Sequence, residues 1–326
     1  GGIGLLLVML LGSLQSCSSM FSGGASQFIA TSYLSEDADM LAAEQAYCTK
    51  EDELQEFLNT YEDTHDYDEY HFDLDEIGHD PYVLISILSA LHDGVFTIDQ
   101  VQGDLQTLFD KQYILTETVT TETRYDSDGD PYIWTVCTVT LENTDLSHIP
   151  ADLMGERGLS LYATYMSTLG NRPDLFPSSE YVNMYIENPP TAWKIPAEYL
   201  TDERFNTLIT EAEKYLGYPY VWGGSSPSTS FDCSGFICYV LSNSGLCQTG
   251  RLTAQGLYDI STPVVQPQPG DLVFFKGTYA TSEISHVGFY VGDGMMLHCG
   301  HPIQYSNLNT SYWQSHFYAY GRPPYN

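Results

Sequence analysis

The stretch that most constrains this chain runs from residue 220 to residue 235, Tyr-Val-Trp-Gly-Gly-Ser-Ser-Pro-Ser-Thr-Ser-Phe-Asp-Cys-Ser-Gly. It opens as a strand-like aromatic run, breaks at Gly223-Gly224 and continues as a Ser/Pro/Thr loop. Asp232-Cys233-Ser234-Gly235 then leads into a helical pattern, with Phe236, Ile237, Val240 and Leu241 on one face and Gly245 as the stop. Cys233 is therefore expected at a helix N-terminus. Unpaired N–H groups and the helix dipole there favour a thiolate over a thiol. The N–H groups of Cys233 and Ser234 are placed to hold an oxyanion.

A nucleophile needs a base, and residues 285–298, Ser-His-Val-Gly-Phe-Tyr-Val-Gly-Asp-Gly-Met-Met-Leu-His, supply one. They read as two strands joined by a Gly-Asp-Gly turn. A three-residue loop centred on Gly292 would set His286 opposite His298, both on one face. His298 is then expected to fix the tautomer of His286 through its second ring nitrogen. Nucleophile, base and orienter follow in the order Cys233, His286, His298.

The Asp-Cys-Ser-Gly-Phe helix start, the Pro-Gly-Asp-Leu-Val-Phe-Phe strand at 269–275 and the Ser-His-Val-Gly hairpin resemble the NlpC-type papain-like cell-wall peptidases. The third polar residue, twelve positions after His286, fits too, and the resemblance covers residues 201–324. The wording of the 220–230 loop is similar to that of hydrolases encoded on conjugative transposons of Gram-positive bacteria. The resemblance implies an α+β fold, with helices packed on an antiparallel sheet. It implies a cysteine peptidase that cuts peptidoglycan stem peptides, usually between D-glutamate and the following diamino acid, with no metal or cofactor. It also places the hydroxyl of a tyrosine matching Tyr220 near the nucleophile, and Arg251 where the family lines its cleft. Tyr220, Arg251 and Asp232 are the expected substrate-binding residues. Two other functions stay open: an amidase cutting between muramic acid and L-alanine, and a non-catalytic cell-wall scaffold of a conjugation apparatus.

Charge narrows the partners. The formal net charge of the 326 residues is −32. From Thr201 onward nine acids face five bases, a net of −4, so the first 200 residues carry −28. Such a surface leaves little to neutralise phosphates and argues against nucleic acid. The seven cysteines show no CxxC or Cys/His metal spacing. Cys238 and Cys299 read as small core hydrophobes, and the spacing leaves a Cys48–Cys137 disulfide open.

Residues 1–16 are apolar but too short for a full span and read as a truncated membrane anchor or signal segment. The alternative is a lipoprotein signal at Leu14-Gln15-Ser16-Cys17. Residues 17–35 are a Ser/Gly-rich spacer. Residues 36–170 are expected to form a small acidic α+β domain: a helix over 36–63, a capped helix from Asp80-Pro81, a capping box at 97–100, and a Thr-rich hairpin turning at 126–130. The Asp/Tyr/His mixture at 65–79 reads as a polar loop or edge strand, because no second cluster supports a metal. Residues 171–200 are a Pro-rich linker in which Trp193 is a candidate anchor. Residues 201–326 form the peptidase domain, with Asp271 as a turn cap. The place of action is expected outside the cytoplasm, at a Gram-positive wall. Secretion or conjugation machinery is a candidate partner, and the membrane is reached through the N-terminal segment.

Overall fold

The computed structural model describes residues 31–187 and 193–326; the expected anchor at 1–16 and most of the spacer lie outside them. Among the described residues no helix is long and apolar enough to cross a membrane. The chain divides into two compact units, 34–153 and 154–326, the second also taking 31–33. The helix Glu156–Thr168 therefore groups with the C-terminal unit.

In the first unit the helix Asp37–Asn59 buries Met40, Ala43, Tyr47 and Leu58, the stripe its periodicity predicts. Asp80 caps the helix Pro81–Leu91 by accepting from the Tyr82 N–H at 2.8 Å. Nine of that helix's eleven residues are buried, so it is a core element rather than an amphipathic one. Gln100 does reach back to the Thr97 N–H, at 2.9 Å, but the regular helix starts later, over Gln102–Gln112. Strands β1 (Glu69–Leu74), β2 (Tyr113–Tyr125) and β3 (Pro131–Asn143) form a sheet in the order β1-β3-β2. The β2–β3 pair is antiparallel, and its turn is held by Asp126, whose Oδ1 accepts from the N–H groups of Asp128 and Asp130. Cys48 and Cys137 are both free thiols: Cys48 contacts Glu44 on the helix surface, while Cys137 lies under Tyr61, so the spacing did not mean a disulfide.

In the second unit, the helix Glu203–Ala212 is capped by Asp202 and turns Phe205, Leu208, Ile209 and Ala212 inward. After it come the short pair β4 (Ser225–Ser226) and β5 (Ser230–Phe231), the helix Cys233–Asn243 and the helix Ala254–Ile260. Strands β6 (Thr262–Val264), β7 (Leu272–Phe275), β8 (His286–Gly292), β9 (Met295–Cys299), β10 (Ile303–Asn307) and β11 (Phe317–Arg322) follow. They form one antiparallel sheet in the order β10-β9-β8-β7-β11-β6.

The sheet is covered on both sides, which is why β7 reads Leu-Val-Phe-Phe without alternation. Leu272 and Phe274 join the core that also holds Phe236, Ile237, Val240 and Leu241 of the Cys233 helix. Val273 and Phe275 face the other side with Met296, Leu308 and Trp313. Each of these side chains contributes about 1.5–3 kcal/mol on burial. The Cys233 helix is thus fixed against β8 and β9. Trp193 packs on this unit, 5.9 Å from the Tyr305 ring. Tyr199 donates to Asp293 in the β8–β9 turn at 2.7 Å.

Candidate active site

Asp232 is the N-cap of the Cys233 helix. Its Oδ1 accepts from the Gly235 N–H at 2.7 Å, and its Oδ2 from the Gly223 N–H at 3.1 Å. One carboxylate thus ties the helix start to the Gly-Gly loop. The same closure explains Gly235: a Cβ there would stand 2.1 Å from the Gly224 carbonyl oxygen. Ser234 and Gly235 are small because loop and helix meet without a gap.

The main-chain N–H groups of Ser234 and of Val287, the residue after His286, act to lower the pKa of the Cys233 thiol. The helix brings the nucleophile to the start of β8, where His286 sits. His286 Nε2 is 2.8 Å from His298 Nδ1, and His298 Nε2 is 2.8 Å from Ser306 Oγ. Trp313 stacks on His286, with centroids 5.4 Å apart, and meets His298 edge-on at 5.2 Å. Both imidazoles are buried.

The strand register differs from the expected one. His298 pairs with Gly288, because a bulge between Tyr290 and Gly292 displaces the pairing, so His286 is the diagonal neighbour. A shift of two residues keeps both histidines on one face, which is why the contact survives.

Burial also works against the expected protonation. Burial pushes the Cys233 thiol up to about 12, with the Asp232 charge adding to it; the N–H groups of Ser234 and Val287 and the Arg251 charge oppose this only in part. Burial holds His286 down to about 3, with His301 adding to it, and holds His298 well below its usual range. Enclosure thus pushes toward neutral thiol and neutral imidazole, against the pull of the helix terminus.

A family match covers this whole arrangement. Residues 217–322 match the NlpC/P60 family. The chain is 43% identical over 121 residues to the bifunctional muramidase/DL-endopeptidase CwlT of Bacillus subtilis, covering 36% of each protein. It is 41% identical over 119 residues to the probable endopeptidase p60 of Listeria grayi, covering 36% of this chain and 22% of that one. It is 39% identical over 111 residues to the gamma-DL-glutamyl hydrolase of Bacillus subtilis, covering 33% of this chain and 27% of that one. The chain thus spans about a third or less of the length of these relatives.

Within the NlpC/P60 stretch, Arg251 joins the nucleophile helix. Its Nη2 donates to Asp232 Oδ2 at 2.5 Å and its Nη1 to Ser234 Oγ at 2.8 Å. Arg251 keeps 39% side-chain exposure. Tyr220 is half-buried, and burial, then the nearby Cys233 and Asp232, raise its hydroxyl well above the usual range. Its ring lies 4.8 Å from His301. Tyr279 crosses Trp222 edge-on at 5.2 Å, and Cys233 is also among the groups that raise its hydroxyl. Asp271 caps its turn through the Gln268 N–H at 2.7 Å and pairs with Arg322 at 2.7 Å, as a structural group. Cys238 and Cys299 are buried, and Cys299 donates to the Phe231 carbonyl at 3.1 Å.

Sequence reading missed Ser306, Trp313, Trp222 and Tyr279. Ser306 lies on β10, eight residues from its partner, where spacing alone carries no signal. Trp222 stood inside the quoted loop motif, and an aromatic next to a double glycine was the available hint.

Proposed function

We propose that the 201–326 domain is a cysteine endopeptidase acting on peptidoglycan stem peptides through Cys233, His286 and His298. The observation that carries this reading is the hydrogen-bonded run His286–His298–Ser306 on the strands against which the Cys233 helix packs.

The donor directions follow from the chemistry. His286 uses Nε2 toward His298, so Nδ1 is its nitrogen for the thiol. For Nδ1 to accept a proton, Nε2 carries hydrogen and donates to His298 Nδ1. His298 Nε2 then carries hydrogen and donates to Ser306 Oγ. Ser306 thus accepts from His298, and His298 from His286, so the run is satisfied with Nδ1 of His286 left free to take a proton.

His286 takes the Cys233 proton as the sulfur attacks the amide carbonyl. The N–H groups of Cys233 and Ser234 hold the oxyanion. Collapse expels the amine, which receives the proton from His286, and leaves a thioester. His286 then deprotonates the water that hydrolyses it. Because burial disfavours the charged forms of both groups, charge separation is best supported with the substrate in place, where bound dipoles stabilise it.

The scissile bond is the one between γ-linked D-glutamate and the diamino acid. The names of the relatives, a DL-endopeptidase and a gamma-DL-glutamyl hydrolase among them, support this choice. Arg251 is the nearby cation suited to the free carboxylate of that glutamate. The reading extends to action at the Gram-positive wall, anchorage through residues 1–16, and a role in conjugative transfer, with 36–170 as a placing module.

Digestion of purified peptidoglycan with the full chain, followed by mass analysis, tests the assignment. Disaccharide-dipeptides are expected. Peptide-free glycan strands would mean an amidase, cut glycan chains a muramidase, and an unchanged sacculus would overturn the enzymatic reading.

A further inference from the structure

The acidic unit holds a second set of chemically matched side chains, remote in sequence from the peptidase motifs. On the helix Asp37–Asn59, Glu44 and Cys48 are one turn apart and face the same way, as residues four apart do. His79, just before the helix Pro81–Leu91, meets them. Its Nε2 lies 3.0 Å from Glu44 Oε2, while Cys48 Sγ lies 3.5 Å from Glu44 Oε1. One ligand atom from each of the three residues falls within 4.8 Å of the others.

The other nitrogen of His79 is held. Nδ1 is 2.9 Å from Glu51 Oε1, the oxygen that also accepts from the Tyr113 hydroxyl at 2.5 Å. That hydroxyl in turn accepts from the Gly78 N–H at 2.9 Å, so Tyr113 fixes both Glu51 and the chain beside His79. The Tyr47 ring closes one side of the imidazole, edge-on at 4.6 Å. His79 has 2% side-chain exposure and Glu44 17%, and Cys48 is half-exposed. The cluster is thus fixed at its back and reachable from the front.

We propose that Glu44, Cys48 and His79 bind one zinc-type divalent cation, with Glu51 orienting His79. A carboxylate, a thiolate and an imidazole at tetrahedral positions, with bonds of about 2.0–2.3 Å, stand about 3.3–3.7 Å apart. Glu44 meets His79 with one oxygen at 3.0 Å and Cys48 with the other at 3.5 Å, and single ligand atoms within 4.8 Å of one another need only a small side-chain adjustment to reach that range. A carboxylate behind a ligand imidazole is the usual outer partner in such sites. The donor set selects zinc or cobalt over calcium or magnesium, which demand oxygen. Solvent takes the fourth position. Binding displaces the Cys48 thiol proton and the proton between His79 and Glu44, and both leave to solvent.

A simpler arrangement, an imidazolium clamped by Glu44 and Glu51, accounts for His79 but assigns nothing to the thiol beside it. The site stands independently of the peptidase reading, since it shares no residue with it.

The test titrates Co²⁺ into the full chain carrying Cys233→Ala, which removes the nucleophile thiol from the readout. One equivalent is expected to give a thiolate-to-cobalt charge-transfer band, abolished by Cys48→Ser and by His79→Gln. Glu51→Gln should weaken binding about 10–100-fold while keeping the band. Zn²⁺ should compete and should slow alkylation of Cys48, mapped by peptide mass analysis without any further variant. Absence of the band, a band unchanged in Cys48→Ser, or Cys48 alkylation indifferent to Zn²⁺ would each overturn the site and leave the ion clamp.

Discussion

Gly288 lies directly across the sheet from His298, and a Cβ on Gly288 would come within 3.0 Å of the His298 Cβ. The hydrogen in place of a methyl lets His298 lean along the strand to reach His286, its diagonal neighbour. The glycine of the Ser-His-Val-Gly motif is therefore a spacing residue for the imidazole pair.

Gly288→Ala tests this. The added methyl also meets the Met296 sulfur at 3.0 Å, so the strain is shared between a flexible side chain and the imidazole. Stability should fall by about 1–3 kcal/mol. The rate should fall by about 100-fold through displacement of His298. Thermal unfolding beside kcat on a purified muropeptide separates the two. Full activity in a folded Gly288→Ala chain would contradict the spacing role.

Cys233→Ala should abolish hydrolysis and leave the fold intact. Cys238→Ala, deeper in the same helix, should stay active with only the modest cost of a lost core contact. Activity in Cys233→Ala would remove the nucleophile assignment.

The hydrogen-bonded run predicts graded losses. His286→Ala should lose nearly all activity. His298→Asn should retain a measurable rate, because an amide oxygen still accepts from His286 Nε2–H. Ser306→Ala should cost about 10-fold, since it frees the far nitrogen of His298. Equal, total loss at all three positions would give His298 and Ser306 a larger part than orientation.

Buried neutral histidines make the domain acid-sensitive. An unfolded imidazole takes a proton below its usual value of 6.5, whereas His286 in the folded chain does so only near 3. Between these values the unfolded chain binds more protons, so stability falls as pH falls from 6.5 toward 3. The slope reaches up to about 1.4 kcal/mol per pH unit for each such group. Denaturant unfolding at pH 7, 5.5 and 4.5 should show it, with a shallower slope in His298→Asn. A slope identical in wild type and variant would count against the buried neutral state.

Arg251→Ala should raise KM more than it lowers kcat if the guanidinium meets substrate. Asp232→Ala should cost about 1–2 kcal/mol of stability, because the cap of the nucleophile helix is lost. Matching losses of stability in both variants, with KM unchanged, would make Arg251 a brace for Asp232 only.

Local patterns in the chain carried the helix start at Cys233, the β8–β9 hairpin and the β2–β3 hairpin, because each rests on spacing within about a dozen residues. The register of His286 against His298 was not legible. A single bulge at Tyr290–Gly292 decides it, and Gly-Asp-Gly is compatible with more than one loop length. The push of burial on the thiol was hidden for a similar reason. The helix terminus is written at Cys233, but the enclosure that opposes it comes from strands more than forty residues away. Ser306 and Trp313 reach the histidines only once β10 and the Ser311–His316 helix fold back. In the acidic unit, Glu44 and Cys48 meet His79 across more than thirty residues, so neither half of the cluster announced itself.

A thiol held up to about 12 has a consequence for the working life of the molecule. Peroxides and soft electrophiles react with the thiolate, and a sulfur that keeps its proton between turnovers is a slow target for them. Enclosure at Cys233 therefore doubles as protection: a sulfur with so little of its residue open to solvent meets diffusing oxidants less often than a surface thiol does.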